Sequence, residues 1–371
     1  MSVREFRWQA LALSLCIASV ASAETPAAAW PDPIAAPAES MPLSAQSLLL
    51  DVARAGERYV AVGARGVVLL SDDGRKWRQS SVPTRMTFTS VAAIDAQVWA
   101  VGHEGVIAHS ADGGEHWELQ RQDPWKPATG SGMRDPQQGG PLLGVMFTDI
   151  KHGYAVGAYS VALKTDDGGA TWTPMTVAKP KAGGDEDEID KPAKAQPKGK
   201  NDHGETFSKE ELTLGQEATP HLNAIAHTGS GALLIVGERG SAFRSRDAGA
   251  TWQRLQLPYD GSMFGVIGYE ADHVLAYGLR GHVYESSDLG DHWKQLDTGT
   301  ELSLMGGTAL ANGGSAIVGA NGVVLVRAGA GAALKSYVYQ SMGTIASVLP
   351  LGDSGALLLA GENGVSVFEP K

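Results

Sequence analysis

An all-β fold, a seven-bladed β-propeller of four-stranded blades, is predicted by two features of the chain. One is a glycine turn that recurs seven times; the other is an Asp–Gly–Trp turn that follows it in five of the repeats. The glycine turn is a small or aliphatic residue, a glycine, two variable residues and usually a second glycine, as in Val62-Gly63-Ala64-Arg65-Gly66. Its first glycines are Gly63, Gly102, Gly157, Gly237, Gly278, Gly319 and Gly361, at steps of 39, 55, 80, 41, 41 and 42 residues. A period near 40 with short apolar runs on both sides of the turn is one propeller blade. The two long steps hold insertions at 123–141 and 178–220.

The strands follow from the runs themselves. Thr89–Ala93, Val98–Val101 and Val106–His109 are four to five residues long, apolar and bounded by Gly, Asp or Glu, which reads as strand and not helix. Paired glycines supply the positive φ of tight hairpins. The second turn has Asp and Trp at offsets 0 and 5, in Asp72 and Trp77, Asp112 and Trp117, Asp167 and Trp172, Asp247 and Trp252, and Asp288 and Trp293. Gly stands at offset 2 in each, and Ser or Thr precedes the Asp by two positions at Ser110, Thr165, Ser245 and Ser286, with Leu70 the exception. This is the Asp-box, or BNR-repeat, pattern. Its carboxylate caps backbone N–H groups of its own turn and its Trp plugs between blades. The sixth repeat has no box, reading Arg327-Ala328-Gly329-Ala330-Gly331.

A solenoid of stacked repeats is the rival architecture, and the strand count favours the ring. The last repeat stops one strand short, while Trp30 precedes Ile34–Glu39 much as each box Trp precedes an outer strand. The segment 24–43 is therefore expected to supply the closing strand of a propeller spanning 44–371. Pro31, Pro33 and Pro37 are tolerable on such an edge.

Residues 1–23 read as a cleaved signal peptide: Arg4 and Arg7, an apolar run from Ala10 to Val20, and Ala21-Ser22-Ala23 before the cut. The run is shorter than the roughly 20 residues a membrane-spanning helix needs. The expected mature protein is periplasmic or secreted, and without Cys16 it has no thiol for disulfides or metal ligation. It carries 28 basic and 40 acidic residues, which argues against nucleic acid as a partner.

In a propeller the glycine turns share one face with the blade-to-blade connections, and both insertions are such connections. Long loops on a rigid scaffold concentrate binding. The candidate site is therefore the Val-Gly face: Arg65, His103, Glu104, Tyr159, Arg239, Arg280, Asn321 and Asn363 in the turns, Arg85 in the first connection and Trp125 in the first insertion. The arginines suit carboxylates, or they pair with Glu104, Glu238 and Glu362 of neighbouring turns. The second insertion holds Asp185-Glu186-Asp187-Glu188-Ile189-Asp190 and a lysine- and proline-rich stretch, a composition that predicts disorder. No nucleophile elbow, phosphate loop or metal-ligand constellation is present, and no catalytic residue or cofactor is expected.

The serial Val-Gly turns, Asp-boxes and closing strand together resemble the photosystem II stability and assembly factor family. That resemblance covers roughly residues 30–371 apart from the insertions. It implies a seven-bladed propeller that acts in photosynthesis, binding an assembling membrane protein through an arginine-rich face. The matching arginines are Arg65, Arg239 and Arg280, with Arg85 nearby. The chain departs by its acidic insertion, its missing sixth box and a plain Sec-type signal. These departures suit a non-photosynthetic bacterial member, a monomer with a membrane or envelope protein as client. Sialidases also carry Asp-boxes, but Arg85-Met86-Thr87 does not match their Arg-Ile-Pro motif. A glycoside hydrolase and a carbohydrate-binding module are the alternative readings.

Overall fold

The computed structural model describes residues 32–124, 126, 137–177, 219–341 and 343–370. The chain from Pro33 onward forms one compact unit. The expected signal peptide, Trp30, Trp125 and the acidic run at 185–190 lie outside the described residues.

Seven antiparallel sheets succeed one another at 49–80, 88–121, 142–174, 222–256, 263–296, 304–338 and 345–368, here blades 1 to 7. Strands pair in chain order within each blade. The second strands, such as Gln97–Gly102 and Leu233–Gly237, are buried along nearly their whole length because each blade is sandwiched between two others. This explains why their sequences are unbroken apolar runs and do not alternate.

Seven apolar clusters hold the ring, one at each blade junction. Between blades 1 and 2, Val60, Val62 and Leu70 meet Phe88, Val98 and Ala100. Between blades 7 and 1, Leu358 and Ala360 meet Leu49, Val52 and Leu69, so the ring closes on itself. The tryptophans of the Asp turns plug these junctions as expected. Trp77 packs at the 7–1 junction, Trp117 at 1–2, Trp172 at 2–3, Trp252 at 3–4 and Trp293 at 4–5.

The seven-bladed ring matches the expectation; the route of the N-terminal segment does not. Blade 7 has three strands among the described residues. Residues 33–39 run instead beside the blade 1–2 connection, where Pro33 O accepts the Arg85 N–H at 2.8 Å and Val82 O accepts the Ala38 N–H at 2.9 Å. Ile34 is buried in the blade 1–2 cluster. An apolar residue between prolines anchors by side-chain burial, and Pro33 and Pro37 have no N–H to give a sheet edge. The chain then makes a 3-10 turn, Ser44–Gln46, against the start of the last strand.

The Asp turns also require one correction. In blade 2 Asp112 Oδ1 accepts the Glu115 and His116 N–H groups and the Ser110 hydroxyl, at 2.8–3.1 Å. In blade 1 the equivalent acceptor is Asp73, not Asp72. Its Oδ1 takes the N–H groups of Arg75 and Lys76 at 2.8 and 2.7 Å and the Ser71 hydroxyl at 3.1 Å. Ser71 pairs with Tyr59 across the sheet just as Ser110 pairs with Val98, so the Ser–x–Asp register is kept. The turn is one residue shorter, which puts its Trp four positions after the Asp. Asp72 pairs with Arg58 at 3.0 Å.

Blade 6 replaces the box with other chemistry. Arg327, opposite Ser315, stands where blades 1 to 5 have Ser or Thr. It is 2% exposed and its guanidinium meets Glu285 of blade 5 at 2.6 Å, which also bonds His273 at 2.8 Å. Burial would raise the Glu285 carboxyl, but the hydrogen bonds from Arg327 and His273 outweigh it and hold it low. Leu334 takes the place of Trp against the 5–6 cluster.

Candidate protein-docking face

Each Val-Gly turn is locked to the entry of its own inner strand. The residue after the first glycine donates its N–H to the carbonyl just before that strand in all seven blades. The pairs are Ala64 to Leu48, His103 to Thr87, Ala158 to Pro141, Glu238 to His221, Leu279 to Ser262, Ala320 to Ser303 and Glu362 to Thr344, at 2.9–3.1 Å. A Cβ on Gly102 would collide with Thr87 O and the Phe88 Cα, so the glycine serves close approach.

The next residue bends into the left-handed region. Arg65, Glu104, Tyr159, Arg239, Arg280 and Asn321 all have φ between 52° and 57°. For an L-residue that conformation costs about 1–2 kcal/mol. Five of the six are neither glycine nor asparagine, and strain repeated in register around one face is a feature to explain by function. Arg65, Tyr159, Arg239, Arg280 and Asn321 are exposed, as is His103 beside the half-buried Glu104.

The predicted site residues differ in what engages them. The Arg65 and Arg280 guanidiniums have no hydrogen-bond or ion-pair partner among the described residues. Arg239 and Glu104 are engaged. Asn363 donates to Ser341 O at 3.0 Å, and the Tyr159 ring meets His221 edge-on at 5.0 Å. Arg85 is tied to the N-terminal segment, donating to Pro37 O at 2.9 Å and to Glu39 at 2.7 Å. The candidate carboxylates are held by their own blades: Glu238 accepts the His221 N–H and Glu362 the Thr344 N–H.

On the opposite face most arginines are paired, although the exposed Arg75 guanidinium has no partner among the described residues. There Arg58 pairs with Asp72 and Glu115, Arg78 with Glu115, Arg244 with Asp291 and Arg246 with Asp272. Its Asp-turn carboxylates are saturated by hydrogen bonds. The N–H and hydroxyl of Thr171 hold Asp167 at about 2, and those of Thr251 hold Asp247 at about 2. Exposed large apolar side chains at the Val-Gly side include Leu48, Tyr159 and Met305. Unpaired guanidiniums and bare apolar groups together are the surface chemistry of a protein-docking face.

Sequence reasoning missed a second ring inside the first. Every inner strand skips one residue in its pairing just after it starts. The skipped residues are Leu50, Thr89, Leu143, Asn223, Phe264, Met305 and Ala346, partly or fully exposed while the residue before each is buried. The only signal in the sequence was their constant position, 13 or 14 residues before the first glycine of the turn in six of the seven repeats.

Residues 31–133 match the family model described as photosynthesis system II assembly factor YCF48. The chain is similar in fold to the solved structure of YCF48 bound to a D1 peptide, with a TM-score of 0.60 and 14% identity over 90% of this chain and 96% of that one. YCF48 from Cyanidioschyzon merolae gives a TM-score of 0.60 and 16% identity over 91% and 99% of the two chains. A streptogramin B lyase structure follows at a TM-score of 0.54 and 14% identity, covering 89% and 95%. No curated protein matches the chain. The resemblance read from the repeats thus has a counterpart in the family model over the first two blades, and in propeller architecture over the rest.

Proposed function

We propose that the chain is an exported assembly propeller that docks a membrane or envelope protein through its Val-Gly face. The observation that carries this reading is a pair of exposed guanidiniums, Arg65 and Arg280, which have no internal partner among the described residues and share a face with the exposed apolar side chains Leu48, Tyr159 and Met305, while Arg58, Arg78, Arg244 and Arg246 of the Asp-turn face are held by neighbouring acids. The family match at 31–133 and the likeness to YCF48 bound to a D1 peptide support protein binding as the activity. A guanidinium left free of internal acids is available to fork onto a partner's carboxylate.

The test is affinity capture from detergent-solubilised envelope with the wild-type protein and an Arg65→Ala/Arg280→Ala variant. A membrane protein retained by the wild type and lost by the variant bears the reading out. Equal retention by both proteins contradicts it.

A further inference from the structure

The skipped residues at the start of the inner strands form a rim around the mouth of the central channel, on the same face as the Val-Gly turns. A bulge of this kind re-aims a side chain, and bulges gather at barrel rims and beside functional sites. Two polar members show where these side chains lie. Thr89 donates to Leu142 O at 2.5 Å and Asn223 donates to Met263 O at 2.9 Å, each reaching the entry of the next blade's inner strand. The rim is thus bridged between blades 2 and 3 and between blades 4 and 5, and four of its seven members, Leu50, Leu143, Phe264 and Met305, are large and apolar. Met305 is 36% exposed, although the residue before it, Leu304, is fully buried. Seven consecutive repeats place a side chain at this one position, and in four of them it is large, apolar and outside the seven apolar clusters.

We propose that this rim seats an apolar side chain of the client, on an extended segment whose flanking carboxylates reach Arg65 and Arg280. The inference rests on the docking reading above and adds the chemistry of the partner to it: acidic, apolar, acidic. Charge selects the occupant. Arg65 on blade 1 and Arg280 on blade 5 stand outside the rim on well-separated blades, both without an acid partner among the described residues, so one apolar group at the centre and one acid on either side satisfy all three positions.

Three fluorescein-labelled heptapeptides test it by fluorescence anisotropy on the full chain. The first is Glu-Asp-Leu-Phe-Leu-Asp-Glu; the second replaces its three apolar residues with Ser; the third replaces its four acids with Lys. Burial of one Leu or Phe side chain predicts roughly tenfold tighter binding of the first than of the second. Met305→Ser and Leu50→Asn, each at a partly or fully exposed position, remove that advantage and leave the second peptide's affinity unchanged. Arg65→Ala/Arg280→Ala weakens the first and second peptides alike. If the first and second bind equally, with arginine dependence, the rim proposal is overturned and the docking face stands. If neither binds, both fall. Self-association of the wild type that Met305→Ser abolishes assigns the rim to a second copy of this chain and also overturns the proposal.

Discussion

Asp51 accepts a hydrogen bond from the Ser347 hydroxyl at 2.7 Å across 296 residues of sequence. Its other oxygen accepts the Ser90 hydroxyl and the Val91 N–H, both at 2.9 Å. One carboxylate in the inner strand of blade 1 thus binds blade 7 on one side and blade 2 on the other, fastening the ring where the two ends of the chain meet. Asp51→Ala strands these donors at the junction, and each unsatisfied buried donor costs about 1–3 kcal/mol. Urea unfolding should show a loss of about 3 kcal/mol for Asp51→Ala and about 1 kcal/mol for Ser347→Ala.

The two kinds of carboxylate respond to acid in opposite senses. Burial raises the Asp51 carboxyl despite its hydrogen bonds, so its proton affinity is greater folded than unfolded and acid favours the fold at this site. Asp167 and Asp247 are depressed to about 2, so their contribution is present above the ordinary carboxylate pKa and is lost as pH falls through about 2. Thermal unfolding at pH 2–5 should therefore lose its steep acid limb in part when both Asp-turn residues are changed to Asn. Asp51→Asn should not flatten it.

His116 and His292 are raised by their hydrogen bonds to Asp112 and Asp288. Their contribution is fully present below the unfolded pKa of about 6.5 and is lost as pH rises through the higher folded value. The melting temperature of the wild type should fall across that window more than that of His116→Gln/His292→Gln, as scanning calorimetry at stepped pH would record.

The blade 1 turn offers a direct contrast between adjacent residues. Asp73→Ala removes the acceptor for two backbone N–H groups, whereas Asp72→Ala removes a surface pair with Arg58. Exposed pairs contribute little. The melting temperature should drop clearly for Asp73→Ala and hardly at all for Asp72→Ala; the reverse order would return the cap to Asp72.

Gly102→Ala would drive a Cβ against the backbone at Thr87 and Phe88, which cannot retreat without opening the blade. Overpacking of this kind typically costs 1–3 kcal/mol. Gly56→Ala is the control at a hairpin with open space around the position, where only the positive φ opposes the change. Chemical denaturation should rank Gly102→Ala as the more harmful.

The fold was legible because its two turn motifs are local: an Asp carboxylate binds N–H groups a few residues away, and a glycine is demanded by the chain folding back on itself. Such interactions keep fixed spacings, and seven glycine turns and five Asp turns make them visible. What the spacing hid was equally physical. The adjacent acids Asp72 and Asp73 are alike as letters, and only the strand register of Ser71 selects between them. The N-terminal segment has an outer-strand composition, but its destination depends on Ile34 finding the blade 1–2 core, a contact that no periodicity encodes. At the site, the turn residues were legible from their motif, yet nothing in the sequence told Arg85, consumed by Glu39, from Arg65 and Arg280, which have no partner among the described residues. The bulged rim was invisible because its members share a position and no residue type.

The most direct measurement places a photo-crosslinking amino acid at Asn321, on the Val-Gly face, and in a second protein at Asp166, beside the blade 3 Asp turn. Both are exposed. Irradiation in the native envelope followed by mass spectrometry should give a crosslinked membrane or envelope protein from position 321 and none from position 166. The same adduct from position 166, with none from 321, would contradict the assignment of docking to the Val-Gly face.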